Sequence, residues 1–181
     1  MEAIRTYTGR LVYPLSLQWE DIFLEDIAHH LAMKCRFNGA TKYHYSVAQH
    51  SVNCANVAAG VFDNEMLVKL CLLHDAAEAY FPDIPRPLYS TCPELVDACA
   101  RAQGRIYAKY GIDSDAQRVL ANETYNIDDY TLDIEGQRLV KNWAGNGAVP
   151  GGMIGRYVDT DKWTIMGARE QFLATFNRFW G

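Results

Sequence analysis

An all-α fold, a compact helical bundle, is predicted by three features of the 181-residue sequence. Apolar residues recur at alternating steps of three and four through most of the chain, the period of a helix with one buried face. Capping residues stand immediately before several of these stretches. Extended character is confined to the opening, where Tyr7, Gly9, Val12 and Pro14 suggest a short extended or hairpin segment. A composition of 49% apolar and 22% charged residues suits one compact domain over residues 1–181, with a core of about 22–141 and a C-terminal helix. No internal repeat or low-complexity tract divides it.

The elements follow in order. A first helix is expected over roughly residues 22–34. Ser46-Val47-Ala48-Gln49 forms a capping-box pattern, and the stripe Val47, His50, Cys54, Val57, Val61 behind it places His50 on the face that should be buried. Asn64 can cap the next helix, in which Leu67, Leu70, Cys71 and His74 share a face. Asp75 then lies about 100° round from His74, so both can converge on one ion from the helix end. The segment 81–93 carries Pro82, Pro85, Pro87 and Pro93 and must be a loop. Helices are expected at about 93–110 and 115–141, the second with the stripe Tyr125, Asp128, Leu132, Glu135, Leu139. Gly145 to Gly155, rich in glycine, reads as a mobile connector. An amphipathic helix at about 164–180 ends in Phe176, Phe179 and Trp180.

The formal charge of −5 argues against a nucleic-acid-binding surface, which needs clustered Lys and Arg. Five cysteines, Cys35, Cys54, Cys71, Cys92 and Cys99, include no CxxC pair and are odd in number, so they read as small buried hydrophobes rather than as a zinc knuckle or a disulfide framework. No signal pattern opens the chain and no window approaches 18 uninterrupted apolar residues. A cytoplasmic protein without a membrane partner is expected, in the host cytoplasm if phage-encoded.

The chemistry lies in the run Leu72-Leu73-His74-Asp75-Ala76-Ala77-Glu78, which puts two metal-ligand side chains and a further carboxylate on one helix turn. His50 upstream and Asp128 downstream each interrupt an apolar stripe, where an ionisable group is costly unless something binds it. Two imidazoles and two carboxylates suit one divalent transition-metal ion, Mn, Fe, Co, Ni or Zn more than Mg, with room left for water or a substrate oxygen. Such an ion polarises a phosphoryl oxygen and acidifies water, and Glu78, one turn from His74, can hold that water as base. The proline-rich loop after the His-Asp pair can line whatever the metal holds.

The ordered set His50, His74-Asp75 and Asp128 resembles the HD-domain metal-dependent phosphohydrolases. The segments Ile27-Ala28-His29, Cys35-Arg36-Phe37-Asn38-Gly39, Tyr45 to His50, His74 to Glu78 and Asp83-Ile84-Pro85-Arg86-Pro87-Leu88 are similar to the small 5′-deoxynucleotidases and bacteriophage HD hydrolases, among them phage dATP triphosphohydrolases. The resemblance covers about residues 22–140. It implies that His50, His74, Asp75 and Asp128 bind one divalent ion, with Asp128 preferred to Asp129 because Leu132 and Glu135 follow it at the family's +4 and +7. It further implies that Glu78 orients the attacking water and Asp83 protonates the leaving 5′-oxygen. By the same resemblance Arg36 is expected to contact phosphate, Phe37 to stand beside sugar and base, and Pro87 and Tyr89 to belong to the substrate-facing loop.

Each assignment has a plainer counterpart: a cap for Glu78, a turn residue for Asp83, a helix-carboxylate partner for Arg36, ordinary core for Phe37 and Cys54. Glu135 reads as a residue behind the metal ligands or as an ion-pair partner. His29, His30 and His44 read as structural or solvated. Two departures from the family stand out. Tyr89 replaces a Lys expected to meet phosphate, and Ala40 replaces a His found in phage relatives. Two-metal HD enzymes draw extra imidazoles from after the His-Asp pair, whereas His74 is the last histidine here, so a mononuclear site follows. The expected activity is hydrolysis of deoxyribonucleoside 5′-phosphates at the α-phosphorus, with deoxyadenosine nucleotides favoured. The alternative is a catalytically weak nucleotide-binding sensor. A homo-oligomer is expected, with the C-terminal helix as a candidate interface.

Overall fold

The computed structural model describes residues 3–82, 91–145 and 154–181. Among them the fold is all-α, with seven α-helices and one two-stranded sheet. The sheet is a hairpin pairing β1 (Ile4–Arg5) antiparallel to β2 (Leu11–Val12), with Ile4 opposite Val12. The helices are α1 (Leu24–Met33), α2 (Val47–Val61), α3 (Glu65–Leu73), α4 (Pro93–Lys109), α5 (Ser114–Val119), α6 (Ala121–Leu139) and α7 (Ile165–Trp180). No helix of the described residues is long and apolar enough to cross a membrane.

Four of the helix starts, those of α2, α3, α5 and α7, are fixed by side chains that satisfy otherwise orphaned N–H groups. Ser46 Oγ accepts from Gln49 N at 3.1 Å, Asn64 Oδ1 from Leu67 N at 3.1 Å, Asp113 Oδ1 from Ala116 N at 2.7 Å and Thr164 Oγ1 from Gly167 N at 2.9 Å. The capping box expected at Ser46 is only half used. Gln49 does not fold back; its amide donates to the carbonyls of Asp159 and Asp161, at 3.1 and 2.9 Å, and ties the segment before α7 onto α2.

Helix α2 is the axis of the bundle, packed against α1, α3, α6 and α7. Its buried Ala48, Ala55 and Ala58 let neighbours approach closely, and His50 is fully buried among them. The stripe ends before Val61, which is exposed because α2 has by then left the core. The C-terminal helix spends its apolar face inside the protomer. Phe172 and Phe176 are buried, Phe176 stacks on Trp180 at 4.2 Å, and Trp180 Nε1 donates to Tyr110 O at 2.7 Å. Among the described residues, half of the larger exposed apolar side chains lie instead in the N-terminal segment, at Ile4, Tyr7, Leu11, Tyr13, Leu15 and Trp19.

Other expectations are corrected in detail. The single helix expected at 115–141 is broken at Leu120, where the Thr124 hydroxyl takes the Leu120 carbonyl at 2.8 Å, a back-bond of the kind that bends helices. Tyr125, expected on the buried stripe, is 58% exposed. Only Cys54 and Cys71 of the five cysteines are buried; Cys92 is exposed, and all five are free thiols. Helix α3 stops at Leu73, so His74 and Asp75 occupy a turn rather than a helix turn, and a 3₁₀ turn (Ala76–Ala79) carries Glu78. Most of the proline-rich loop, and the connector between Gly145 and Ile154, lie outside the described residues.

Candidate metal centre

Three elements supply the centre: α2 brings His50, the end of α3 brings His74 and Asp75, and α6 brings Asp128. His50 Nε2 lies 3.0 Å from Asp128 Oδ1 and 3.9 Å from Asp75 Oδ2. His74 Nε2 lies 3.2 Å from Asp75 Oδ2 and 3.7 Å from Asp128 Oδ1. The two Nε2 atoms face each other at 3.3 Å.

The other nitrogen of each ring fixes its tautomer. His50 Nδ1 sits 2.9 Å from Glu135 Oε1, and His74 Nδ1 sits 2.7 Å from the Cys71 carbonyl. Both partners only accept, so both Nδ1 atoms carry hydrogen. In the neutral rings both Nε2 lone pairs then point at each other, between two carboxylates. A proton or a cation between them satisfies both nitrogens, and a cluster of this chemistry can hold a metal ion.

Cys54 Sγ also belongs to this neighbourhood, and the cluster of His50, Cys54, His74 and Asp128 can hold a metal ion. The thiol lies 3.5 Å from His50 Nε2 but 4.0 Å from Nδ1, which sets it alongside the imidazole ring rather than beyond Nε2. Burial pushes the Cys54 thiol well above its ordinary pKa, which favours the protonated, weakly ligating form. Asp75 Oδ2, 3.2 Å from His74 Nε2 and 3.9 Å from His50 Nε2, is a further oxygen beside this cluster.

The electrostatics are those of a site waiting for positive charge. Burial pulls the His74 pKa down, but the Asp75 and Asp128 carboxylates outweigh it and hold His74 well above the usual imidazole range. His50 is raised too, against burial and Arg36, by Glu135 and Asp128. Burial pushes Asp128 up, yet its hydrogen bonds to His50 and His74 leave it well below the ordinary carboxylate range. Protons and a metal held by this cluster would compete for the same Nε2 atoms. Raised imidazole pKa values keep those protons bound to higher pH, so metal affinity should fall as pH drops through the raised range, and uptake near neutrality should release protons. Calorimetry in buffers of different ionisation enthalpy measures that release; uptake without it would mean that Nε2 is not the donor.

Arg36 closes one side of the centre. Its Nη1 lies 3.4 Å from Asp75 Oδ2 and its Nε 3.4 Å from Glu135 Oε2. Glu135, fully buried, thus connects the guanidinium to His50, and its Oε1 also accepts from the Tyr45 hydroxyl at 2.7 Å. Tyr45 in turn accepts from Asn53 Nδ2 at 2.7 Å, and Asn53 holds the backbone of Asp159. Sequence reading placed Glu135 behind the ligands but missed Tyr45 and Asn53. The signal was available in part, since a polar residue on the buried stripe of α2 needs a partner.

Phe37 and Asn38 stand next to Arg36 in the left-handed backbone region, at φ 54° and 50°. For a phenylalanine this costs of order 1–3 kcal/mol, a strain often kept where a side chain must be aimed. The Phe37 ring meets the Trp143 indole edge-on at 5.4 Å and lies 5.7 Å from the Arg36 guanidinium. Trp143 donates from Nε1 to Asp133 Oδ1 at 2.8 Å and lies across Gly136, where a Cβ would collide with the indole. Gly136→Ala should therefore lower stability by ~1–3 kcal/mol in denaturant unfolding. Unchanged stability would show that the indole is not seated there.

Glu78 is half-buried on the 3₁₀ turn, with its N–H donating to Asp75 O at 3.0 Å and its charge within the field felt by Arg36. His30 and His44 make structural hydrogen bonds to the carbonyls of Ala79 and Ala32, at 2.6 and 2.9 Å, and His29 stacks on Tyr7 at 3.8 Å. Asp83, Pro87 and Tyr89 lie outside the described residues.

The sequence matches no family model. It is similar to the uncharacterized protein YfdR of Escherichia coli K12, 38% identical over 112 residues that cover 62% of this chain and 60% of that protein. It is also similar to an uncharacterized protein of Rhodobacter capsulatus, 33% identical over 115 residues covering 60% of this chain and 58% of the relative. The chain thus spans about three-fifths of the length of each of these two relatives, whose names assign no activity.

Proposed function

We propose that the protein is a metal-dependent phosphohydrolase that cleaves deoxyribonucleoside 5′-phosphates at the α-phosphorus and releases the nucleoside. The observation that carries this reading is the pair of imidazole Nε2 atoms facing each other at 3.3 Å between two carboxylates, with a buried guanidinium beside them. His50, His74, Asp75 and Asp128 would hold one divalent transition-metal ion, Co, Mn, Zn, Fe or Ni. When bound, the ion supplies Lewis-acid polarisation of a phosphoryl oxygen and lowers the pKa of water.

The protein's own groups do the rest. Arg36, held between Asp75 and Glu135, presents a planar donor array to phosphate oxygens. Glu78 accepts the proton of the attacking water. A new water-oxygen-to-phosphorus bond forms as the bond to the 5′-oxygen breaks, and Asp83 returns a proton to that oxygen. Phe37, fixed by Trp143, flanks the sugar and base. A monophosphate would yield phosphate and a triphosphate would yield triphosphate by this one bond cleavage. Deoxyadenosine nucleotides are the first substrates to test.

A second reading has support in the double engagement of Arg36 by two carboxylates, which neutralises the charge a substrate would meet. On that reading the protein is a nucleotide sensor with little turnover. A panel of dNMPs and dNTPs with Mn²⁺ or Co²⁺, with products identified, separates the two. Metal-dependent release of nucleoside supports the hydrolase; binding without turnover supports the sensor.

A further inference from the structure

The side chain of Gln103, from α4, stands where a helical hydrogen bond is missing. In an unbroken α-helix the Leu73 carbonyl would accept from the Ala77 N–H, four residues on. Here Leu73 O accepts instead from Gln103 Nε2 at 2.6 Å, and Ala77 N–H donates to Gln103 Oε1 at 2.9 Å. A carboxamide can do both, because it carries a donor and an acceptor on one planar group. The two backbone groups it bridges flank His74 and Asp75.

One local contact interrupts the ladder, His74 Nδ1 donating to the Cys71 carbonyl at 2.7 Å, but composition does not end the helix. The run from Leu72 to Ala79 holds neither Gly nor Pro, and Ala76, Ala77 and Ala79 are the strongest of helix formers. A side chain inserted into the hydrogen-bond ladder is an established cause of a sharp bend. The bend is present: Asp75 adopts φ −101° and ψ 13°, and the chain tightens into the 3₁₀ turn Ala76–Ala79. On a straight helix the side chains of His74 and Asp75 would diverge by about 100°. At this bend Asp75 Oδ2 comes within 3.2 Å of His74 Nε2.

We propose that Gln103 is a positioning residue that opens the helix at His74-Asp75 and so turns both side chains toward one divalent ion. The inference rests on the metal-site reading above. It places part of the metal site's specification about 30 residues downstream of the His74-Asp75 turn, on a helix that contributes no donor atom itself.

Two variants test it. Gln103→Met keeps the length and removes both polar groups, which frees Ala77 N–H to bond Leu73 O directly. Gln103→Glu keeps an acceptor for Ala77 N–H and sets an oxygen against the Leu73 carbonyl. Co²⁺ affinity is read by calorimetry, and the hydrogen bond by NMR scalar coupling between the Ala77 amide nitrogen and the Leu73 carbonyl carbon. Expected are Co²⁺ affinities about 10–100-fold weaker in both variants, the loss typical of removing a group that orients a ligand. The 73–77 coupling should be absent in the parent and in Gln103→Glu, and present in Gln103→Met. Affinities equal to the parent's in both variants would overturn the proposal, as would a folded Gln103→Met chain without the 73–77 bond. Loss of fold in Gln103→Met leaves Gln103→Glu to decide by its affinity. Should the parent bind no Co²⁺, the metal-site reading fails, while the coupling measurement still tests what holds the helix open.

Discussion

His74→Ala is expected to empty the centre and abolish turnover together, in a protein that otherwise carries about one transition-metal ion per chain. His74 Nε2 lies within 3.7 Å of each of the other three proposed donor atoms, so its loss opens the middle of the set rather than an edge. The remaining His50 would face two carboxylates with one nitrogen, and the Cys71 carbonyl would lose its donor. The weakening should exceed the roughly 10–100-fold that removal of a supporting residue costs, because a direct donor is removed. Metal analysis by plasma mass spectrometry, beside turnover on the nucleotide panel, measures both. Cys54→Ala is the control: lying alongside the His50 ring, the thiol should be dispensable for the ion. Two tightly bound ions in the parent, or a full complement in His74→Ala, would sink the mononuclear assignment.

The helical class and the burial of His50 and Glu135 were legible because periodicity reports burial. His50 and Glu135 fall on apolar stripes, and both are fully buried, while Ser46, Asn64 and Thr164 all cap. What escaped the sequence was set by tertiary partners. No pattern marks Gln103 as the group that bridges Leu73 O and Ala77 N–H, and the local propensity of Ala76-Ala77 argues for a longer helix. Tyr125 sits at the right period to be buried, yet it is 58% exposed, because period alone does not say how far along a helix its partners extend. Gln49 has the residue type of a capping box, but the returning segment at Asp159–Asp161 offers its amide two carbonyls, which the helix start cannot match. Trp143 lies past the end of α6 and gives no periodic signal; only Gly136, where any side chain would strike the indole, hints that something must fit there.

Glu78→Ala should separate base from ligand. Turnover is expected to fall about 10²–10⁴-fold, the range for loss of a positioned general base, while the ion stays bound. The backbone gives reason to expect a clean result. Alanine suits the 3₁₀ turn, and the Glu78 N–H bond to Asp75 O at 3.0 Å, which helps hold that ligand's turn, involves no side chain. The centre itself is assembled from His50, His74, Asp75 and Asp128, whose mutual distances do not pass through Glu78. Loss of the Glu78 charge also removes one of the carboxylates that raise the Arg36 pKa, but Glu135, Asp75 and Asp128 remain to keep that guanidinium charged. Phosphate affinity should therefore survive, and the defect should appear in kcat rather than in KM. Metal lost in parallel with activity would make Glu78 a ligand. Turnover equal to the parent's would remove it from the reaction and leave the protons of the attacking water to another group.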